Sequence, residues 1–192
     1  MKKYDSATKV LIRCRLSYAH VWEPKPETAE FDAGKYTAVL LIPKSDTTTI
    51  KKIKAAIEAA KVAGKDKLAG VKAKAIKYPL KDAEEEEMEG AEFEDCMFLN
   101  VKSTTAPQIV NKKVEDIIDK SEVYSGCYCN VTVNFFAYNQ KGGTGIGAGL
   151  GNIQKVKDGE KLSGGATAQQ DFEAIDDDDD DEDDDDEDDD IF

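Results

Sequence analysis

The stretch "CYCNVTVNFFAYN", residues 127–139, carries the side chains whose types and spacing point most clearly to a chemistry. In a strand, alternation would place one wholly apolar set on a face that points into a core. The other face carries three aromatic rings, two amides and a threonine: Tyr128, Asn130, Thr132, Asn134, Phe136 and Tyr138. Rings stack on nucleobases and amides hydrogen-bond base edges, so this aromatic–amide face predicts a nucleobase-binding surface. The alternative is that a second layer, such as a dimer partner, covers it.

Basic side chains accompany aromatic ones on two other predicted strands. Arg13 and Arg15 project together from the first strand, and residues 98–102 repeat an aromatic–amide–basic pattern on one face of another. Basic groups beside aromatic platforms suit single-stranded nucleic acid, whose bases are splayed and whose phosphates need neutralising. The predicted nucleic-acid contacts are Arg13, Arg15, Phe98, Asn100, Lys102, Tyr128, Asn130, Asn134, Phe136, Tyr138 and Lys141. Trp22 and Tyr36 are further candidates, although a single tryptophan is at least as often part of a core.

The segment "GTGIGAGLG" places glycine at positions 145, 147, 149 and 151, which leaves one face of a strand without side chains. The period of two and the absence of a following helix exclude a dinucleotide-binding fingerprint. A bare face permits close approach by a ligand backbone or by the rings of Phe136 and Tyr138. Packing by these rings is the favoured interpretation, and both can hold.

The chain contains no pattern typical of a catalytic or metal site. It has no P-loop and no G-x-S-x-G, and His20 is its single histidine, which argues against zinc. Its four cysteines show neither C-x-x-C spacing nor a disulfide framework, which predicts reduced, buried thiols. We therefore expect a binding protein rather than an enzyme, with no cofactor and no metal.

The charge of the chain is segregated. The net charge is −14, but 17 of the 40 acids lie from Asp171 onward, where there is no base. The first 170 residues therefore carry a net charge of +3, and nine of their acids fall in the acidic segment, residues 82–95. A basic body with two acidic appendages indicates nucleic-acid contact by the body and an interaction role for the acidic tail, residues 176–192. The alternative is a solvated tail on an unrelated globular domain.

The apolar periodicity predicts several strands and one principal helix. The helix should span residues 45–64, capped by Ser45 or Asp46 and ended by Gly64. In the first strand, alternation groups five side chains on the inward face: Val10, Ile12, Cys14, Leu16 and Tyr18. Strands are expected at residues 8–22, 35–42, 96–103, 107–110, 127–139 and 146–160.

These elements favour a mainly β fold, an OB-fold-like five-stranded β-barrel with long loops, with a β-sandwich as the alternative. We expect one domain over residues 1–160, with the acidic segment as a mobile loop. A flexible linker, residues 161–175, and a disordered acidic tail should follow. The chain has no run of eighteen apolar residues and no signal-peptide pattern, so we expect a cytoplasmic protein.

Several motifs resemble one known family. "YPLKD", "FLNVKS", "PQIV" and above all "YSGCYCNVTVNFFAYNQKGGTGIGAGLGNIQKVKDGEKLSGG" are similar to the single-stranded DNA-binding proteins of tailed bacteriophages, over most of residues 8–172. The acidic run ending in phenylalanine is a second, independent resemblance to phage and bacterial proteins of this class. The resemblance implies an OB-fold that coats single-stranded DNA during replication and recombination, without sequence preference, in the cytoplasm of an infected bacterial cell.

The same resemblance implies a role for the tail. It would recruit DNA polymerase, helicase or recombination proteins through Asp188, Asp189, Asp190, Ile191 and Phe192, and would also fold back over the DNA groove. RNA and duplex DNA remain possible weaker ligands, and a monomer and a dimer both remain open.

Two other functions fit part of the sequence. A strand-annealing recombination mediator would bind duplex as well as single strands. An acidic chaperone or DNA mimic would bind basic partners, which explains the tail and the acidic segment but not the aromatic–amide face or the glycine strand.

Overall fold

The structure is a computed structural model that describes residues 6–140 and 143–162. Predictions that concern Lys141, the linker beyond residue 162 and the acidic tail lie outside the described residues. The described strands are β1 (Lys9–His20), β2 (Tyr36–Pro43), β3 (Ile76–Lys77), β4 (Leu80–Asp82), β5 (Cys96–Ser103), β6 (Ile109–Val110), β7 (Tyr128–Gln140) and β8 (Gly143–Lys157). The described α-helices are α1 (Thr47–Ala63) and α2 (Lys65–Leu68).

Five of these strands close into a barrel. Antiparallel ladders join them in the order β8, β7, β1, β2, β5, and a parallel pair, Lys102 of β5 opposite Gly149 of β8, completes the ring. Strands β3, β4 and β6 extend the sheet at its margins. This is the five-stranded OB-fold barrel predicted from the sequence, and its closure excludes two separate sheets packed as a sandwich.

Helix α1 packs against one end of the barrel, on the side where β7 ends. The Asp46 carboxylate accepts a hydrogen bond from the Thr49 amide at 3.0 Å and caps the first turn, as predicted. Ile53 and Ile57 are buried in the barrel core. Where α1 ends, Gly64 lies so close to β7 that an added Cβ would overlap the Ala137 side chain. None of the helices within residues 6–140 and 143–162 is long and apolar enough to cross a membrane.

The barrel interior is filled by one alternate set of side chains from each strand. In β7 the predicted inward face is confirmed, because Cys129, Val131, Val133, Phe135 and Ala137 are all buried. Cys127, just before β7, and Cys14 of β1 are also buried, whereas Cys96 is partly exposed. All four thiols are free.

Strand β1 departs from its predicted alternation near its end. Ser17 is buried and Tyr18 is 58% exposed, the reverse of the prediction. The β1–β2 register shifts between Ser17 and His20, and Tyr18 has a φ of 45°. A bulge of this kind inserts an extra residue and moves the following side chains to the other face.

The acidic segment, predicted from its composition to be a mobile loop, packs against the barrel through two apolar residues. Ala83 and Phe93 are buried in a second apolar cluster with Val39, Leu41 and Phe98 on the outer face of β2 and β5. Within the segment, residues 91–93 form a 3-10 turn that carries Phe93. Two buried apolar residues among nine acids therefore anchor a segment that charge alone would leave in water.

Gly126, in the loop before β7, should not tolerate substitution by a residue with a side chain. Its φ is +120°, and an added Cβ would overlap the carbonyl oxygen of Glu160. For Gly126→Ala we expect left-handed strain of about 1–3 kcal/mol plus the cost of this overlap, as a lower free energy of unfolding in urea. Gly70→Ala is the matched control, because Gly70 has a φ of +77° but nothing within 4 Å of the added Cβ. Equal losses in the two variants would contradict the role assigned to the Glu160 contact.

Candidate nucleic-acid interface

The aromatic–amide face of β7 points away from the barrel core, between β1 and β8. Phe136 is 44% exposed, Asn134 is exposed, and the other four side chains of the face are partly exposed. Within the described residues the face is therefore open to a ligand. The two sets of β7 side chains differ in burial, because successive residues of a strand point to opposite faces of the sheet.

Basic residues from both neighbouring strands flank this face. Opposite members of an antiparallel pair lie about 4.5–5.5 Å apart, so their side chains share one local surface. From β1, the register places Arg15 opposite Tyr128, Arg13 opposite Asn130, and Lys9 opposite Asn134. From β8, it places Lys157 opposite Tyr128, Gln154 opposite Asn130, and Gly147 opposite Phe136.

Tyr128 lies between two cations. The Lys157 Nζ atom is 4.4 Å from the centroid of the tyrosine ring, and the Arg15 Cζ atom is 5.7 Å from it. Arg15 is itself held in place, because its Nε donates to the Gly126 carbonyl at 3.0 Å and its Nη2 to the Glu160 carbonyl at 2.9 Å. The site thus combines an aromatic ring with fixed positive charge, which suits a base and its adjacent phosphate.

The ring of Phe136 lies over the bare glycine strand. An added Cβ at Gly147 would be 2.8 Å from the Phe136 Cζ atom, and one at Gly149 would be 3.6 Å from its Cε1 atom. The predicted packing of an aromatic ring on these glycines is confirmed for Phe136. The other two glycines make room for different neighbours, since Gly145 abuts Lys77 of β3 and Gly151 abuts Thr132. A ring seated on glycine is pre-oriented and keeps its outer surface exposed.

The amides of the face are oriented by their neighbours. Asn130 donates to the Gln154 side-chain oxygen at 3.0 Å, and Gln154 donates to the Asn111 carbonyl at 3.4 Å. Asn134 accepts from the Thr8 hydroxyl at 3.3 Å. Since an amide has two donor hydrogens and an acceptor oxygen, each keeps hydrogen-bonding capacity for a base edge.

The three residues predicted together on β5 fall into different environments. Lys102 is exposed beside Gly149, which in turn is opposite Asn134, so barrel closure joins Lys102 to the face. Its Nζ atom also pairs with Asp32 at 2.9 Å. Asn100 is exposed, but Phe98 is only 3% exposed because the acidic segment covers it. The expectation that Phe98 contributes to an open surface therefore fails in this conformation.

Trp22 belongs to the core rather than to the surface. Its Nε1 donates to the Val123 carbonyl at 2.9 Å, and its ring packs against the main core cluster. Tyr36 packs against the same cluster. Lys157 and Lys9 were absent from the predicted contacts, because their proximity to Tyr128 and Asn134 depends on strand register.

A cavity of about 430 Å³ opens where the face meets the acidic segment. Its basic and aromatic lining comes from β1, β7 and β8, and Ala91 and Glu92 of the acidic segment also line it. The side chains that line it are Arg13, Cys14, Arg15, Leu41, Pro43, Ser45, Asp46, Ala91, Glu92, Cys96, Tyr128 and Lys157. Among residues 6–140 and 143–162, no cluster of histidine, cysteine or carboxylate side chains has the arrangement of a metal site.

A model of one protein family matches residues 8–185 of this chain, and its description is "Enterobacter phage Enc34, ssDNA-binding protein". The chain belongs to this family. A relative from Acyrthosiphon pisum secondary endosymbiont phage 1, "Putative protein p50", is 30% identical over 161 residues, which cover 80% of this chain and 85% of the relative.

Solved structures of the Enc34 protein have the same fold. Its complex with single-stranded DNA matches with a TM-score of 0.68 and 27% identity, over 81% of this chain and 88% of that one. A C-terminally truncated form of the Enc34 protein matches with a TM-score of 0.66 and 27% identity, over 80% and 87%. The T7 protein gp2.5, a single-stranded DNA-binding protein, matches with a TM-score of 0.56 over 86% and 96%, and its 15% identity shows the fold alone.

Cys96, in the wall of the cavity, should be the one thiol that reacts under native conditions. The other three are buried, and burial together with the negative charge of Asp95 raises the pKa of Cys96 above its ordinary value of 9.0. The thiolate is the reactive form, so the rate of labelling should still be rising at pH 9. A thiol reagent should modify one cysteine in native protein and four in urea, with Cys96→Ser removing the native reaction. Two or more equally fast thiols would contradict the burial of the other three.

Proposed function

We propose that this protein binds single-stranded DNA without sequence preference, through the aromatic–amide face and the basic residues beside it. The observation that carries the proposal is the Phe136 ring, which lies over Gly147 and is 44% exposed. On the same face of β7, Tyr128 is flanked by Arg15 and Lys157. Membership of the phage family supports it, as does the description of the Enc34 structure as a complex with single-stranded DNA. The role is binding rather than catalysis, in coating and protecting DNA during phage replication and recombination.

Binding follows from two terms that act on different parts of the nucleotide. Bases stack on Phe136 and Tyr128, and this contact is sequence-tolerant because every base has a π-face. Phosphates are neutralised by the basic side chains of β1, β5 and β8, which releases counterions and makes the affinity fall steeply with salt. The amides Asn130 and Asn134 add hydrogen bonds to whichever base edge is presented.

The acidic tail is proposed to act in two ways. Its carboxylates resemble a flexible strand of phosphates tethered to a basic surface, so they compete with weak ligands and yield to single-stranded DNA. Once displaced, Ile191 and Phe192 form an apolar anchor, and Asp188, Asp189 and Asp190 steer it to a basic-rimmed pocket on a replication or recombination protein.

Removing the rings of Tyr128 and Phe136 should weaken DNA binding. Tyr128→Ala and Phe136→Ala should each cost about 1–3 kcal/mol, or roughly 5–150-fold in Kd for oligo-dT, because each loses a stacked base. Fluorescence titration at two salt concentrations measures this, with RNA and duplex DNA as parallel ligands. Phe31→Ala is the control, since Phe31 is 70% exposed but lies outside the face. Unchanged oligo-dT affinity in the double variant would refute the stacking face.

Truncation and removal of the tip should separate the two roles of the tail. A protein ending at residue 175 should bind oligo-dT more tightly at low salt than the full chain, and the difference should shrink as salt screens the tail. Deleting Phe192 alone should leave oligo-dT affinity unchanged and reduce capture of a phage polymerase, helicase or recombination protein. Loss of DNA binding on truncation would instead favour an acidic protein that mimics DNA.

A further inference from the structure

The candidate interface continues beyond β1 as one row of side chains around the barrel. Strand register places six residues next to one another in succession, on the outer face of five barrel strands and β4. In order they are Lys157, Tyr128, Arg15, Leu41, Phe98 and Lys81. The row contains three basic, two aromatic and one apolar side chain, a composition that suits single-stranded nucleic acid. Its first half is open and its second half lies beneath the acidic segment.

The acidic segment covers the second half closely. Leu41 is 1% exposed and Phe98 is 3% exposed, and the side chain that covers them, Phe93, is itself 2% exposed. The Phe93 ring also stacks with Tyr18, with 6.4 Å between the centroids and 28° between the planes. An aromatic ring of the segment thus packs on the outer face of β2 and β5, over Leu41 and Phe98.

Carboxylates of the segment pair with two lysines beside the covered half. Lys44 Nζ lies 2.9 Å from Asp82 and 3.0 Å from Glu84, and Lys81 Nζ lies 2.6 Å from Glu86. The hydrogen bonds that Lys44 donates to Asp82 and Glu84 raise the pKa of Lys44 above its ordinary value. The segment therefore presents to β2, β4 and β5 both chemical features of a single strand, an aromatic ring and a row of negative charges.

We propose that the acidic segment is a built-in stand-in for single-stranded nucleic acid, and that its displacement opens a second half of the binding site. That half contains Leu41 and Phe98 as apolar platforms, with Lys44 and Lys81 freed for phosphates. In chain order, β2 and β5 are the second and third strands of the barrel. OB-folds commonly bind oligonucleotides on the face formed by these two strands. This inference rests on the proposed function and adds a second, occluded contact region to it.

Two features make the segment displaceable. Its ion pairs with Lys44 and Lys81 are at least partly exposed, and such pairs contribute little to stability. The buried side chains of Ala83 and Phe93 are therefore its main anchors, and Phe93 is the larger of the two. Ala91 and Glu92 line the same cavity of about 430 Å³ as Tyr128 of the open half. A nucleic-acid strand bound at Tyr128 would therefore reach the edge of the segment through this cavity. The open half would therefore bind first, and the covered half would follow on longer ligands.

Removal of the anchor is the decisive test. In Phe93→Ala, oligo-dT should bind about fivefold more tightly or better at low salt, because the covered half no longer has a competing occupant. The number of nucleotides covered by each bound protein should rise by roughly two to three, since the three strand spacings from Arg15 to Lys81 span about 14 Å. Adding Phe98→Ala to Phe93→Ala should abolish both gains, and Phe31→Ala should show neither. Wild-type affinity and site size in Phe93→Ala would overturn the inference.

The unmodified protein gives an independent test, which stands even if Phe93→Ala fails to fold. A Glu-specific protease cuts after the glutamates of residues 84–94, and fragment masses separate these cuts from cuts in the tail. Long oligo-dT should accelerate cleavage in the segment, whereas oligo-dT too short to pass Arg15 should not. No acceleration by long oligo-dT, or protection by it, would overturn the inference.

The two proposals can fail separately. If short oligo-dT binds through Tyr128 and Phe136 but length changes neither affinity nor cleavage, the covered half is excluded and the proposed function survives. If oligo-dT does not bind at all, the proposed function itself fails.

Discussion

The candidate interface depends on the long antiparallel ladder between β7 and β8. Because β7 alternates strictly, burying its apolar set in the barrel forces its rings and amides outward, and no loop is needed to position them. The facing strand lacks side chains at Gly147 and Gly149, so the Phe136 ring can lie over it. This one ladder therefore contributes apolar side chains to the core, the exposed Phe136 ring, and the glycines over which that ring lies.

Basic side chains from the two strands beside β7 place positive charge around Tyr128. The basic side chains of β1 and β8 are fixed around Tyr128, with Arg15 held by two backbone carbonyls. Most of the chain's acids lie in the tail, outside the described residues, and in the acidic segment, which forms ion pairs with Lys44 and Lys81. On the two proposals above, these acids compete with nucleic acid for the basic surface, and their effect should depend on salt as binding itself does.

Much of the fold could be predicted because its signals are local. The barrel strands and α1 were recognisable from periodicity, and Asp46 from the capping preference. The prediction failed where a local pattern is interrupted or covered by another part of the chain. At Tyr18 a bulge reverses the alternation, and at Phe98 the covering residue, Phe93, lies in a segment whose composition indicates a solvated loop.

The sequence by itself determined which side chains of β7 face outward and which strand beside it is bare, because both follow from a period of two. Only the tertiary structure decided that Lys157 flanks Tyr128, that barrel closure brings Lys102 to Gly149, and that Phe98 is covered. These facts depend on strand register, on ring closure and on the path of a loop. Each is set by contacts between residues far apart in the chain, which alternation within a single strand does not encode.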